Sequence, residues 1–293
     1  MKMLAPPIDH HAVVPAPPSN KSSSLLDCQT AFQQVATECV RLVQRNRKEA
    51  IAGDPTAIHK MRIELTKLRA MVRFFSPMMK DEAWPRLKKE LRWLNSSLGK
   101  ARDHDVTMDY AQRKRYRSWA KAVARSLACA KEKNHRSLAK KLDSARYEGV
   151  ILALKHWITT GPWLSNRLPL RSERLEVFSS ARLCDWRAAI SRKGRKLGAL
   201  RRQQLHRVRI RAKHYRYCID ALQELGINIT PANLAFYETA KQMHRALGDL
   251  RDLKRLRRAR RSQPPGYRER KKRLLQRAEK PFRRQKILHT SPD

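Results

Sequence analysis

In two stretches of this chain, apolar residues recur with the spacing of a single helix face. Across residues 58–75, Ile58, Met61, Leu65, Leu68, Val72 and Phe75 step by 3, 4, 3, 4 and 3, the seam of an amphipathic helix. Across residues 205–222, Leu205, Val208, Ala212, Tyr215, Ile219 and Leu222 repeat those steps. One position further along, each stretch carries a second stripe. The first is His59, Arg62, Thr66, Arg69 and Arg73; the second is His206, Arg209, Lys213, Arg216 and Asp220. One residue is about 100° of helix rotation, so each polar stripe borders the buried seam instead of facing free solvent. Two copies with the same offset predict a duplicated site.

The remaining pattern predicts helices throughout. A helix is expected over 25–52 with Ser24 as its N-cap. Another is expected over 81–100, with Leu87, Leu91, Leu94 and Leu98 on its buried face. A long basic helix follows over 106–143 and an apolar one over 147–158. The second half is expected to hold helices over 172–200, from 232 to 253, and through 254–262 and 268–288. The segments LGKARDHDV (98–106) and LGDLRDL (247–253) share Leu, Gly, Arg and Asp in register, and each is expected to close a helix. Prolines 6, 7, 15, 17 and 18 mark residues 1–21 as a disordered leader. Gly161, Pro162, Asn166 and Pro169 place a boundary within 161–170. The expected architecture is all-α: two four-helix bundles, 22–160 and 171–290, related by approximate two-fold symmetry through internal duplication.

Composition bears on the partner more than on the fold. The chain has 293 residues, 66 Lys plus Arg against 26 Asp plus Glu, and a formal net charge of +40. Solubility needs only a few units of charge, and such a field repels itself unless an anion binds. Nucleic acid, polyphosphate and acidic membrane are the candidate partners. Nine glycines and 6% aromatic residues leave little for a β-rich fold. Cys28, Cys39, Cys129, Cys184 and Cys218 form no C-x-x-C pair and are expected as reduced thiols, which suits the cytoplasm. No run of about 18 apolar residues predicts a transmembrane helix.

The paired segments HKMRIELTKLR (59–69) with LGKARDHDV, and HRVRIRAKHYR (206–216) with LGDLRDL, resemble the CHAD domain, the conserved histidine α-helical domain. The resemblance covers roughly residues 25–290. It implies two four-helix bundles around a basic cavity. It also implies binding of inorganic polyphosphate without catalysis, no cofactor, and association with polyphosphate granules. The cavity would be lined by His59, Arg62, Arg69 and Arg73 from one half and His206, Arg209, Lys213 and Arg216 from the other. Thr66 departs from the basic residue usual at its position, and Asp220 ends the second stripe, so the halves are expected to contribute unequally. No E-x-E-x-K signature of a triphosphate-processing domain occurs, which implies a stand-alone binding domain.

Other functions compete with this one. His59 and His206 are either phosphate contacts or neutral structural residues. Their cationic neighbours argue against a metal. Asp103-His104-Asp105 has the look of a phosphohydrolase fragment, but one His-Asp pair is not a site. Asp103 and Asp252 are expected to make ion pairs or to cap the next helix. The basic runs 113–117, 192–202, 254–261 and 268–273 are expected as solvated faces that attract nucleic acid non-specifically. A helical nucleic-acid-binding protein is therefore the rival function. Trp84, Trp93, Trp119, Trp157, Trp163 and Trp186 are expected to pack in or against the core. Oligomeric state and chain-length preference are left open by the pattern.

Overall fold

The computed structural model describes residues 26–79, 81–114, 116, 120–121, 124–165, 168–260 and 263–287. The expected leader, the Ser24 cap and Trp119 lie outside the described residues. Among the described residues ten α-helices follow one another in order: α1 (Cys28–Arg45), α2 (Arg47–Ile51), α3 (Pro55–Phe74), α4 (Trp84–Ala111), α5 (Ala124–Leu142), α6 (Ala145–Thr160), α7 (Leu175–Gly194), α8 (Arg202–Glu224), α9 (Pro231–Arg260) and α10 (Tyr267–Ile287). No strand occurs among the described residues, so the all-α expectation holds.

The organising stretches become α3 and α8. Before α3, Gly53 adopts a positive φ of 91°, which only glycine tolerates cheaply, and turns the chain. Asp54 then caps the helix, accepting from the backbone N–H of Thr56 at 2.9 Å and of Ala57 at 3.0 Å. Pro55 fills the first helical position, where no N–H is needed. Every seam residue of α3 is buried, and so are Thr66, Lys67, Ala70, Met71 and Phe74. The burial is this broad because α3 packs against α1, α4 and α8 together. In α8, Val208, Ala212, Tyr215, Ile219 and Leu222 are buried and Leu205 is partly buried against the core.

The α3–α8 contact joins the two halves. Lys213 donates to Thr66 Oγ1 at 3.4 Å, and these two residues hold matching places in their stripes. Lys67 pairs with Glu224 across the same contact. α4 packs on α9 as well. At the end of α3, Arg182 of α7 donates to the carbonyl of Phe74 at 3.1 Å, a cation at the negative end of a helix. A single cluster of buried apolar side chains draws on both halves.

Several boundaries differ from the sequence expectation. The residues expected as one basic helix over 106–143 are shared between the end of α4 and α5 (Ala124–Leu142), and the helices expected over 232–253 and 254–262 are one, α9. α4 runs straight through LGKARDHDV and α9 straight through LGDLRDL, so neither segment closes a helix. Glycine inside a helix costs about 1 kcal/mol against alanine, and burial of Leu98, Ala101, Leu247, Leu250 and Leu253 outweighs it. The first predicted helix breaks at Asn46 into α1 and α2, and Asp27 is the α1 cap, accepting from Thr30 N–H at 2.7 Å. The helix expected over 172–200 ends at Gly194 and continues as a short 3-10 turn over 197–199.

Leu65 lies in the middle of this packing at 1% exposure. Leu65→Ala is expected to cost about 2–5 kcal/mol in denaturant unfolding, whereas Arg268→Ala on an exposed face changes stability by less than about 0.5 kcal/mol.

Candidate polyanion site

His206 and Arg209, the first two members of the α8 stripe, border a cleft of about 680 Å³. Its walls are the N-terminal half of α8, with Arg202, His206 and Arg209, and the C-terminal half of α9, with Arg251, Lys254, Arg255 and Arg258. Gly248 also faces Arg209: a Cβ built there would stand 3.8 Å from its Nε and Nη2 atoms.

The predicted site residues fall into two groups. Arg62, Arg209, Lys213 and Arg216 come together, with Arg251 added from α9; all four arginines act electrostatically on Lys213. Burial and these charges push the Lys213 ammonium down to about 7. Arg209 is pushed down to about 10, by burial first and then by Arg251. Burial also lowers Arg62, against the pull of Asp103. Arg69 and Arg73 belong to a second group. Burial lowers both, with Arg92 beside Arg69, and Arg211 and Arg182 beside Arg73. Both arginines help burial hold His214 neutral, at about 3. His206 is exposed on the cleft wall, its pKa lowered by partial burial and then by Arg251. His59 is exposed on α3, one turn before Arg62.

Counter-ions are unequally shared. Asp103 of α4 takes Arg251 at 2.9 Å, Arg62 at 3.6 Å and Arg255. Asp252 takes Arg255 at 3.3 Å. Thus both LGxxRD carboxylates make ion pairs, and neither caps a helix. By contrast, Arg209 Nε and Arg216 Nε are buried without a hydrogen-bond partner. Arg216 Nη1 donates to His244 Nδ1 at 3.5 Å, so the neutral ring carries its proton on Nε2, which is also buried and unpartnered. Unused buried donors are costly in a folded protein, and these cluster where the cations do.

The family model of the CHAD domain matches residues 34–280. The chain belongs to the CHAD domain family. The crystal structure of the CHAD domain from the plant Ricinus communis aligns over 92% of this chain and 91% of that one, with a TM-score of 0.66 and 22% identity. PptA from Streptomyces chartreusis aligns over 89% of this chain and 95% of that one, with a TM-score of 0.58 and 14% identity. At these identities the likeness is one of fold. No curated protein matches the chain significantly in sequence.

Sequence reasoning missed several parts of this CHAD domain's cleft. Residues 254–258 were expected to lie on a solvated face, yet Lys254, Arg255 and Arg258 line the wall. His244 carried no signal beyond its place one helix away from the stripes. The shared Arg and Asp of the LGxxRD segments were the available pointer to Arg251 and Asp103. The Asp103-His104-Asp105 cluster is split: Asp103 faces the arginines, while buried Asp105 pairs with His135 at 3.1 Å and Lys131 at 3.4 Å. Among the described residues no group of three or more His, Cys, Asp or Glu is placed to hold a metal ion. Cys28, Cys39 and Cys218 are buried, Cys129 and Cys184 are exposed, and all are free thiols.

Lys213 makes ligand-free stability depend on pH. An unfolded lysine titrates near 10.4, so between about 7 and that value the unfolded chain binds more protons than the folded one. Its destabilising effect is full below about 7 and fades as pH rises. The melting temperature attributable to this group should therefore rise from pH 7 to pH 9, and Lys213→Met should raise stability at pH 7 and flatten the slope.

Proposed function

We propose that this CHAD domain binds inorganic polyphosphate in the cleft between α8 and α9 and along the adjoining α3 stripe. The observation that carries the reading is the set of buried, unpartnered donors on Arg209, Arg216 and His244, gathered beside Lys213. A phosphate oxygen accepts from several donors at once, and guanidinium forks match it well. Polyphosphate is a thread of such groups without bases, so charge and spacing are all that a protein can read in it. Side chains on successive helical turns stand about 5–6 Å apart and offer it a ladder. Binding relieves the repulsion among the cations, and membership of the family supports the same ligand.

The role is binding rather than turnover, in the cytoplasm and at polyphosphate granules. No described helix is long and apolar enough to cross a membrane, which suits that placement. Non-specific nucleic-acid attraction has its own support in the exposed basic residues of α5 and α10, such as Lys133, Arg136, Lys140, Arg268, Lys271 and Lys272. Among the described tryptophans, Trp157 and Trp163 are core residues, and Trp84, Trp93 and Trp186 pack against the core. They offer no stacking platform for bases. Nucleic acid is thus a weaker competitor for surface charge.

Long-chain polyphosphate should raise the melting temperature at low salt, with affinity falling steeply as salt rises. Replacing Arg62, Arg209, Lys213 and Arg216 together by glutamine should weaken binding about 100-fold or more, roughly 1 kcal/mol or somewhat less per lost contact. Replacing Arg268, Lys271, Lys272 and Arg273 by glutamine removes the same formal charge and should cost less than about 5-fold. Equal losses in the two sets would assign binding to net charge and not to the cleft.

A further inference from the structure

Resting on the polyphosphate reading, we propose that Asp103 is a built-in competitor for the ligand and sets the shortest polyphosphate chain that can use the whole cleft. The cations of the site differ in what they already hold. Arg251 donates to both carboxylate oxygens of Asp103, at 2.9 and 3.3 Å. Arg255 and Arg62 reach the same carboxylate. One anion from the first half therefore occupies two arginines of α9 and one of α3. Arg209, Arg216 and His244 keep unpartnered buried donors, and the hydrogen bond that Lys213 makes is to a neutral hydroxyl.

A carboxylate held by guanidinium N–H groups, here one nitrogen from each arginine, occupies donor positions that a phosphate oxygen would take. A phosphate arriving at Arg209, Lys213 and Arg216 displaces no ion-paired carboxylate, though it meets the fields of Asp252 near Arg209 and Asp220 near Arg216. A phosphate seeking Arg251 or Arg255 must displace Asp103 and sit near its released negative charge. A short chain anchored at Arg209, Lys213 and Arg216 has too few remaining phosphates to force that exchange. A long chain, once anchored, presents its next phosphates to Arg251 and Arg255 at high effective concentration, and it continues past them to Lys254 and Arg258. The short chain leaves Asp103 in place and forgoes these arginines, whereas the long one recovers the cost of displacing it.

The test is the ratio of affinities for tripolyphosphate and for long-chain polyphosphate in the full chain at fixed salt. Asp103→Asn should raise tripolyphosphate affinity about 10-fold while long-chain affinity changes less than about 3-fold, so that length discrimination shrinks. Parallel loss for both ligands would mean that Asp103 merely positions the arginines. Parallel gain would reduce it to one unit of net charge, and no change would give it no role; each of these overturns the proposal. Should the Asn variant fail to fold, Arg251→Gln combined with Arg255→Gln carries the test. The loss should then be at least about 10-fold greater for the long chain than for tripolyphosphate, and equal losses overturn the proposal. If wild-type protein binds neither ligand at low salt, the polyphosphate reading itself falls, which is a different result from binding without length discrimination.

Discussion

Like charges held close together and partly out of water repel strongly. At 4 Å, with an effective dielectric near 20, the interaction is about 4 kcal/mol per pair. Arg62, Arg209, Arg216 and Arg251 all act on Lys213, and Arg62, Arg209 and Arg251 also act on one another; the structure is arranged around holding them there. The packing of α3 and α8 does most of this. Their seams are buried, so the neighbouring stripe cannot rotate into solvent without exposing Met61, Leu65, Tyr215 and Ile219. Burying each such apolar side chain stabilises by about 1.5–3 kcal/mol, which opposes rotation of the stripe into solvent. The lowered pKa values of Lys213 and Arg209 record the same conflict between packing and charge.

The long helices α4 and α9 complete the arrangement. Each runs uninterrupted past its LGxxRD segment, which places Asp103 and Asp252 inside the cationic cluster as counter-ions. The compensation is lopsided. Asp103 answers three arginines, two of them from the other half, while Asp252 answers Arg255. The stripes are lopsided too. Thr66 stands opposite Lys213 and accepts its hydrogen bond. Asp220 carries a negative charge where the first stripe has Arg73, and burial raises its pKa beside Tyr237 and Arg216. The unpartnered buried donors of Arg209, Arg216 and His244 lie on α8 and α9.

Much of this was legible in the chain. The 3-4 spacing identified every buried seam residue of α3, because a helix face depends only on local periodicity. The duplicated offset identified Arg62, Arg209, Lys213 and Arg216 as neighbours of buried surface. Tertiary pairing was not legible in the same way. Gly99 and Gly248 looked like helix ends because local propensity disfavours glycine, yet packing along α4 and α9 overrides it. Asp103 could not be told from a helix cap, since its partner Arg251 lies 148 residues away. Lys254, Arg255 and Arg258 looked solvated because their cleft forms only when α9 meets α8. Arg69 and Arg73 share a stripe with Arg62, yet they act on His214, which Lys213 also reaches, while Arg62 faces Asp103.

The central claim is that α3 and α8 confine Lys213 among arginines with too few anions to balance them. Titration of its side-chain nitrogen by NMR, in protein carrying labelled lysine, measures that directly. The account predicts a Lys213 pKa near 7 in the free protein, moving upward by at least about one unit when polyphosphate binds, since a nearby anion favours the charged form. A free-protein value near the ordinary lysine range of about 10.4, unmoved by polyphosphate, would contradict it.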